Sequence, residues 1–159
     1  MLRMAVVIFA GLALLGACKT PSHSSDALVD NPIPADTTGL DGTSWTLVEI
    51  TSPDDKTGTV TPDDPSQYTM TLAADGKVAM KLNCNRGSGT WEAGSAGGNS
   101  GSFTFGPIIT TKVFCKPPSL DQQIASDAEY VRSYVLEGDT LYLNLMADGG
   151  TYVWQKSPS

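Results

Sequence analysis

The chain has 159 residues, of which 40% are hydrophobic and 8% aromatic, enough for one buried core, while 16 Gly and 10 Pro favour turns over long helices. Acidic residues number 17 against 10 basic ones, for a net charge of −7. That balance repels phosphate backbones and argues against nucleic-acid binding.

Met1 to Met4 holds one cation, Arg3, and Ala5 to Leu15 is an unbroken apolar run that ends at Gly16 and Ala17. This is the layout of a secretory signal over residues 1–17. As a helix the run would span only about 17 Å against roughly 30 Å of hydrocarbon, so a cleaved signal fits better than a membrane-spanning anchor. Leu15-Gly16-Ala17-Cys18 resembles the lipobox of bacterial lipoproteins, in which the cysteine thiol receives a diacylglycerol and becomes the first residue. The resemblance implies lipidation at Cys18 and a membrane as the first partner; the alternative is an ordinary signal with a chance cysteine at its boundary. Lys19, in place of the Asp that holds such proteins at the inner membrane, points to the outer membrane and a periplasm-facing domain. Residues 18–40 are rich in Ser, Pro, Asp and Thr without apolar periodicity and read as a flexible tether. The sole histidine, His23, lies within it.

The folded part is expected over residues 41–157. Trp45 and Leu47 alternate in a first strand from Gly42 to Ile50, and Ser52 to Ser66 reads as a loop with three prolines and the pairs Asp54-Asp55 and Asp63-Asp64, which lack the spacing of an EF-hand. Tyr68, Met70 and Leu72, then Asp75-Gly76, then Val78, Met80 and Leu82 spell a hairpin with one apolar and one wet face. Thr90 to Glu92 and Ser102 to Phe105 read as strands on either side of a Gly/Ser/Asn loop, Ala93 to Gly101. Ile108 to Cys115 continues in extended form until Pro117-Pro118. Ser119 is a candidate N-cap for a short helix carrying Leu120, Ile124 and Ala128, and alternating segments from Val131 to Lys156 form a closing meander. The expectation is a mainly β protein: a small antiparallel barrel-like domain, or a sandwich, of about eight short strands with one short α-helix.

Of three cysteines, lipidation accounts for Cys18 and leaves Cys84 and Cys115 as an even pair in an oxidising compartment. A disulfide between them would close a loop of about 31 residues and contribute roughly 3 to 4 kcal/mol. Two buried free thiols are the alternative.

Gly42-Thr43-Ser44-Trp45, then Asn83-Cys84-Asn85-Arg86-Gly87, then Thr110-Thr111-Lys112-Val113-Phe114-Cys115, and the closing turn Gly138 to Leu143, resemble in order and spacing the META domain of HslJ-like envelope proteins. The usual pattern has glycine where Asn83 stands. The resemblance implies a single β-barrel-like domain with one helix, often a lipoprotein, linked to envelope stress and tolerance of toxic compounds, with no enzymatic activity established.

Ser-His-Asp and Cys-His chemistry would need a histidine in the folded part, and zinc would need ligand spacing that is absent. A carboxylate pair among Glu92, Asp121, Asp127 and Glu129 is the remaining catalytic arrangement, and a weak one. No cofactor is expected. Asn83, Asn85 and Arg86, with Thr111 and Lys112 brought close by a disulfide, are the candidate interaction surface, able to bind a carboxylate or phosphate; the leading alternative is structural, with Asn and Gly serving backbone geometry and Arg86 capping a carbonyl or pairing with an acidic neighbour. The function expected is a non-catalytic envelope lipoprotein that supports envelope integrity or stress tolerance through an envelope protein partner. A small inhibitor of a protease or lysozyme, and a ligand-binding barrel with an apolar chamber, are the alternatives.

Overall fold

Alternating apolar residues build the strands, and two breaks in the alternation let the sheet close on itself. The computed structural model describes residues 38–52 and 58–158; the signal, Cys18, the tether with His23, and the Asp54-Asp55 pair lie outside them. The strands are β1 (Thr43–Thr51), β2 (Thr59–Val60), β3 (Tyr68–Leu72), β4 (Lys77–Leu82), β5 (Asn85–Ser95), β6 (Ser100–Phe105), β7 (Ile109–Thr110), β8 (Val131–Glu137), β9 (Thr140–Leu145) and β10 (Thr151–Lys156). Helix α1 (Asp121–Asp127) and a 3-10 turn (Ala128–Tyr130) separate β7 from β8.

Eight strands close into an antiparallel barrel in the order β1, β3, β4, β5, β6, β8, β9, β10, with β10 returning to β1 through Trp45 opposite Lys156 and Thr51 opposite Thr151. The two-residue strands β2 and β7 are additions to β1 and β5. In β1 the register shifts between Leu47 and Glu49, so Ile50, three residues after Leu47, still faces inward. A like shift between Val131 and Ser133 in β8 puts both Val131 and Tyr134 in the core. Such bulges bend and twist a strand, which barrel closure requires.

The interior is packed with Trp45, Trp154, Tyr134, Phe103 and the leucines at 40, 47, 72, 82, 141 and 143, all nearly or fully buried. Ile124 and Ala128 of the helical segment are buried over one end, and the void left beneath them, bounded also by Met80, Phe105, Leu143 and Trp154, has about 20 Å³. That is room for about one water molecule.

Several boundaries differ from the sequence reading. Leu40, assigned to the tether, is fully buried in the core. The stretch from Asn83 to Arg86 is not one turn: only Asn83 and Cys84 connect Leu82 to Asn85, and Asn85 and Arg86 already belong to β5. The Ala93–Gly101 loop shortens to residues 96–99, because the backbones of Gly94, Ser95, Gly101 and Ser102 still pair in the β5–β6 ladder. Of the extended segment from Ile108 to Cys115, only Ile109–Thr110 joins a ladder. Ser119 does not cap α1; its hydroxyl donates to Asp121 Oδ1 at 2.6 Å, and Leu120 occupies the N-cap with its N–H donated to the Tyr68 hydroxyl at 3.1 Å.

Candidate functional site

The turn between β4 and β5 has two residues, and the first, Asn83, sits at φ 57°, the left-handed region that Asn tolerates better than other residues with a side chain. Its N–H donates to the Gln67 carbonyl at 2.8 Å and its amide nitrogen to Ser119 Oγ at 2.9 Å. The second, Cys84, forms a disulfide with Cys115, their Cα atoms 5.5 Å apart. This bond fastens the turn to the end of a strap, residues 106–115, that runs back along the outside of β5.

Asn85 holds the strap from within. It is 3% exposed, and its oxygen accepts from Thr111 Oγ1 and from the Val113 N–H, both at 2.8 Å. Its nitrogen donates to the Val113 carbonyl and to Asp121 Oδ2, both at 2.9 Å. Thr111 Oγ1 in turn accepts the Arg86 N–H at 3.0 Å, and the Thr111 N–H donates to the Arg86 carbonyl at 3.0 Å. One connected set of hydrogen bonds therefore joins the β4–β5 turn, the strap and the first turn of α1. Asp121, buried at its centre, is satisfied by Asn85 and Ser119 rather than by a cation.

Of the five residues expected to form an interaction surface, Asn83, Asn85 and Thr111 are thus committed to internal bonds, while Arg86 and Lys112 stand exposed. Sequence reasoning missed the strap's apolar side chains: Ile109, Val113 and Phe114 are solvent-exposed. Their signal was present, since apolar pairs at 108–109 and 113–114 are adjacent, and a strand with one buried face cannot hide both members of such a pair. Between strap and α1 lies an open groove of about 660 Å³ with Leu82, Ile108 and Ala125 among its apolar lining and Lys112 and Gln122 among its polar one.

Two of the carboxylates considered for catalysis are engaged within the fold: Asp121 as above, and Asp127, whose Oδ2 accepts the Tyr152 hydroxyl at 2.6 Å. Burial, and then the neighbouring Asp127, push the Tyr152 phenol well above its ordinary value. Among the described residues no three His, Cys, Asp or Glu side chains are grouped to hold a metal ion.

Beside this geometry, a barrel closed by eight antiparallel strands with Cys84 of the β4–β5 turn clamped to Cys115 at the end of the strap, stands a sequence match: the model of the META domain matches residues 38–159. The chain belongs to the META domain family. Asn83, which departs from the glycine of the resemblance, sits at φ 57°, a left-handed conformation that glycine and Asn both adopt. Two solved structures are similar in fold. A protein from Burkholderia xenovorans, solved by NMR, superposes with a TM-score of 0.63 at 21% identity, over 89% of this chain and 99% of its own. A DUF4847-family protein from Bacteroides vulgatus gives a TM-score of 0.54 at 13% identity, over 76% and 96%. No functionally curated protein matches at a significant level.

Proposed function

We propose that this META protein is a non-catalytic lipoprotein of the cell envelope, anchored through Cys18, that supports envelope integrity and tolerance of toxic compounds through contacts of its outer surface with other envelope proteins. The observation that carries this reading is the packed interior: among the described residues the void beneath the helical segment has about 20 Å³, too little for a small-molecule ligand, which favours recognition on the outside of the barrel. Three of the five polar residues that a binding turn would have offered, Asn83, Asn85 and Thr111, are already used to hold the strap in shape, which suits a rigid module that presents a surface rather than a site that reacts.

The test pairs genetics with chemistry. A deletion strain is expected to lose tolerance to detergents and hydrophobic antibiotics, and the wild-type gene should restore it while a Cys18→Ser gene should not. Mass spectrometry of the mature protein should find acyl chains on Cys18. Normal tolerance in the deletion strain, with no specific protein recovered after cross-linking of intact envelopes, would overturn the reading.

A further inference from the structure

Five large apolar side chains are exposed among the described residues, and three of them lie on the strap: Ile109 at 76%, Val113 at 60% and Phe114 at 85%. The described residues carry seven cations against twelve acids, yet four of those cations adjoin this stretch. Lys112 lies on the strap and Lys116 directly follows it, flanking Phe114 in sequence. Arg86 is bonded to Thr111 through its main chain, and Lys81 lies opposite Arg86 in the ladder. The acid that borders the groove, Asp121, is buried and turned toward Asn85 and Ser119. A protein of net negative charge thus places cations along the strap, Lys112 and Lys116 beside Phe114 and Arg86 beside Ile109 and Thr111, while the Lys81 ammonium turns to the Ser66 carbonyl near Asp64.

We propose that the strap is a membrane-facing surface, which seats Phe114, Val113 and Ile109 at the boundary between headgroups and acyl chains of an anionic phospholipid layer and sets Lys112, Lys116 and Arg86 against the headgroups. Aromatic and aliphatic side chains bracketed by Lys and Arg are the composition that partitions into this zone, where the apolar parts leave water and the cations stay with the phosphates. A second copy of the chain is disfavoured as the occupant, because strap against strap would oppose cation to cation. The disulfide and the Asn85 bonds matter here: they stop Phe114 from folding back onto the barrel, so the ring is presented to the layer without an ordering cost on arrival.

This inference rests on the lipid-anchored reading of Cys18, which confines the barrel to the neighbourhood of a membrane. Thr43 lies opposite Leu72 and Tyr68 opposite Leu82, so the chain enters the barrel at the end away from the disulfide turn. The twenty residues from Cys18 to Thr38 reach up to roughly 70 Å when extended, against about 20 Å for a six-residue strand, so the strap can turn to the same membrane.

The experiment uses the full-length lipidated protein carrying Phe114→Trp, reconstituted into vesicles of phosphatidylcholine alone or with phosphatidylglycerol, each with and without brominated acyl chains. The native Trp45, Trp91 and Trp154 are at most 6% exposed and supply a constant background. Emission from the introduced tryptophan is expected to fall about two-fold in brominated anionic vesicles, with most of that quenching lost at high salt or on adding Lys112→Glu and Lys116→Glu. Flotation with the vesicles reads the anchor separately. A chain that floats but is not quenched, or is quenched equally without phosphatidylglycerol, overturns the strap assignment and leaves the anchor standing; a strap that serves a protein partner would give this result in pure lipid. A chain that does not float removes the anchor, and the strap assignment falls with it.

Discussion

The Asn85 amide accepts from Thr111 and from Val113 and donates to Val113 and to Asp121, which no other residue type can do from that position. Asn85→Ala is expected to destabilise the domain by about 2 to 4 kcal/mol in urea unfolding, because it removes the donor to the buried Asp121 Oδ2 and the bonds that hold Thr111 and Val113 of the strap. Asn85→Asp keeps the shape but has no N–H to give and sets a carboxylate against Asp121; its loss at neutral pH should exceed that of the alanine variant. Tyr152 makes a separate prediction. Its folded value lies above that of the unfolded chain, near 10, so the neutral phenol's contribution is whole below about pH 10 and is lost as pH rises beyond it. Between about pH 10 and 12 the wild type should therefore lose up to about 1.4 kcal/mol per pH unit more steeply than Tyr152→Phe. The sequence marked Asn85 as chemically capable but not as internal, since whether an amide faces a ligand or its own backbone depends on what the fold lays over it.

At the scale of elements, the disulfide and the strap form one unit. The bond joins the β4–β5 turn to the segment before α1 across a separation of 31 residues. Paired Cys84→Ser and Cys115→Ser substitutions are expected to lower stability by about 3 kcal/mol, measured by urea unfolding of wild type and variant. The β3–β4 hairpin was fully legible, because Tyr68, Met70, Leu72, Val78, Met80 and Leu82 alternate strictly about an Asp-Gly turn and all point inward. The extent of β5 was not. Its ladder passes from β7 at Gly87 and Ser88 to β6 at Trp91 onward, and the many glycines in it leave no alternation to read. Some of those glycines are there for contact rather than pattern: a Cβ on Gly89 would lie 2.7 Å from the Pro107 carbonyl oxygen, so the strap could not approach β5 as it does. Ser119 misled in a different way, since a serine before a helix caps it only if its hydroxyl is free, and here Asp121 and Asn83 claim it.

Across the described residues, the eight barrel strands and the one helix could be read from the residue pattern, whereas the barrel came from the family resemblance, since the pattern alone left barrel and sandwich open. Trp45 and Lys156 meet across more than a hundred residues, and no local pattern distinguishes a barrel from a sandwich with the same strands. The choice is made by the β1–β10 ladder, which leaves neither of those two strands with a free edge. A chain ended at Gly150 would lose Tyr152 and Trp154 from the core and expose the edges of β1 and β9 together. It is expected to lose the near-ultraviolet circular dichroism of packed aromatics and to unfold without a cooperative transition. A sharp transition at the wild-type temperature would show that β10 is dispensable.

Because β1 and β10 are neighbours, the two ends of the barrel's chain leave it side by side: the Ser157 N–H donates to the Ser44 carbonyl at 2.8 Å, and the Ser157 and Thr46 hydroxyls are 2.8 Å apart. Topologically the domain is a ring cut at one seam. A short linker across that seam, with new ends opened at the Gly138–Asp139 hairpin, should give a permuted protein of the same shape, in which a lipid anchor at the new end would suspend the barrel from a different point on its rim.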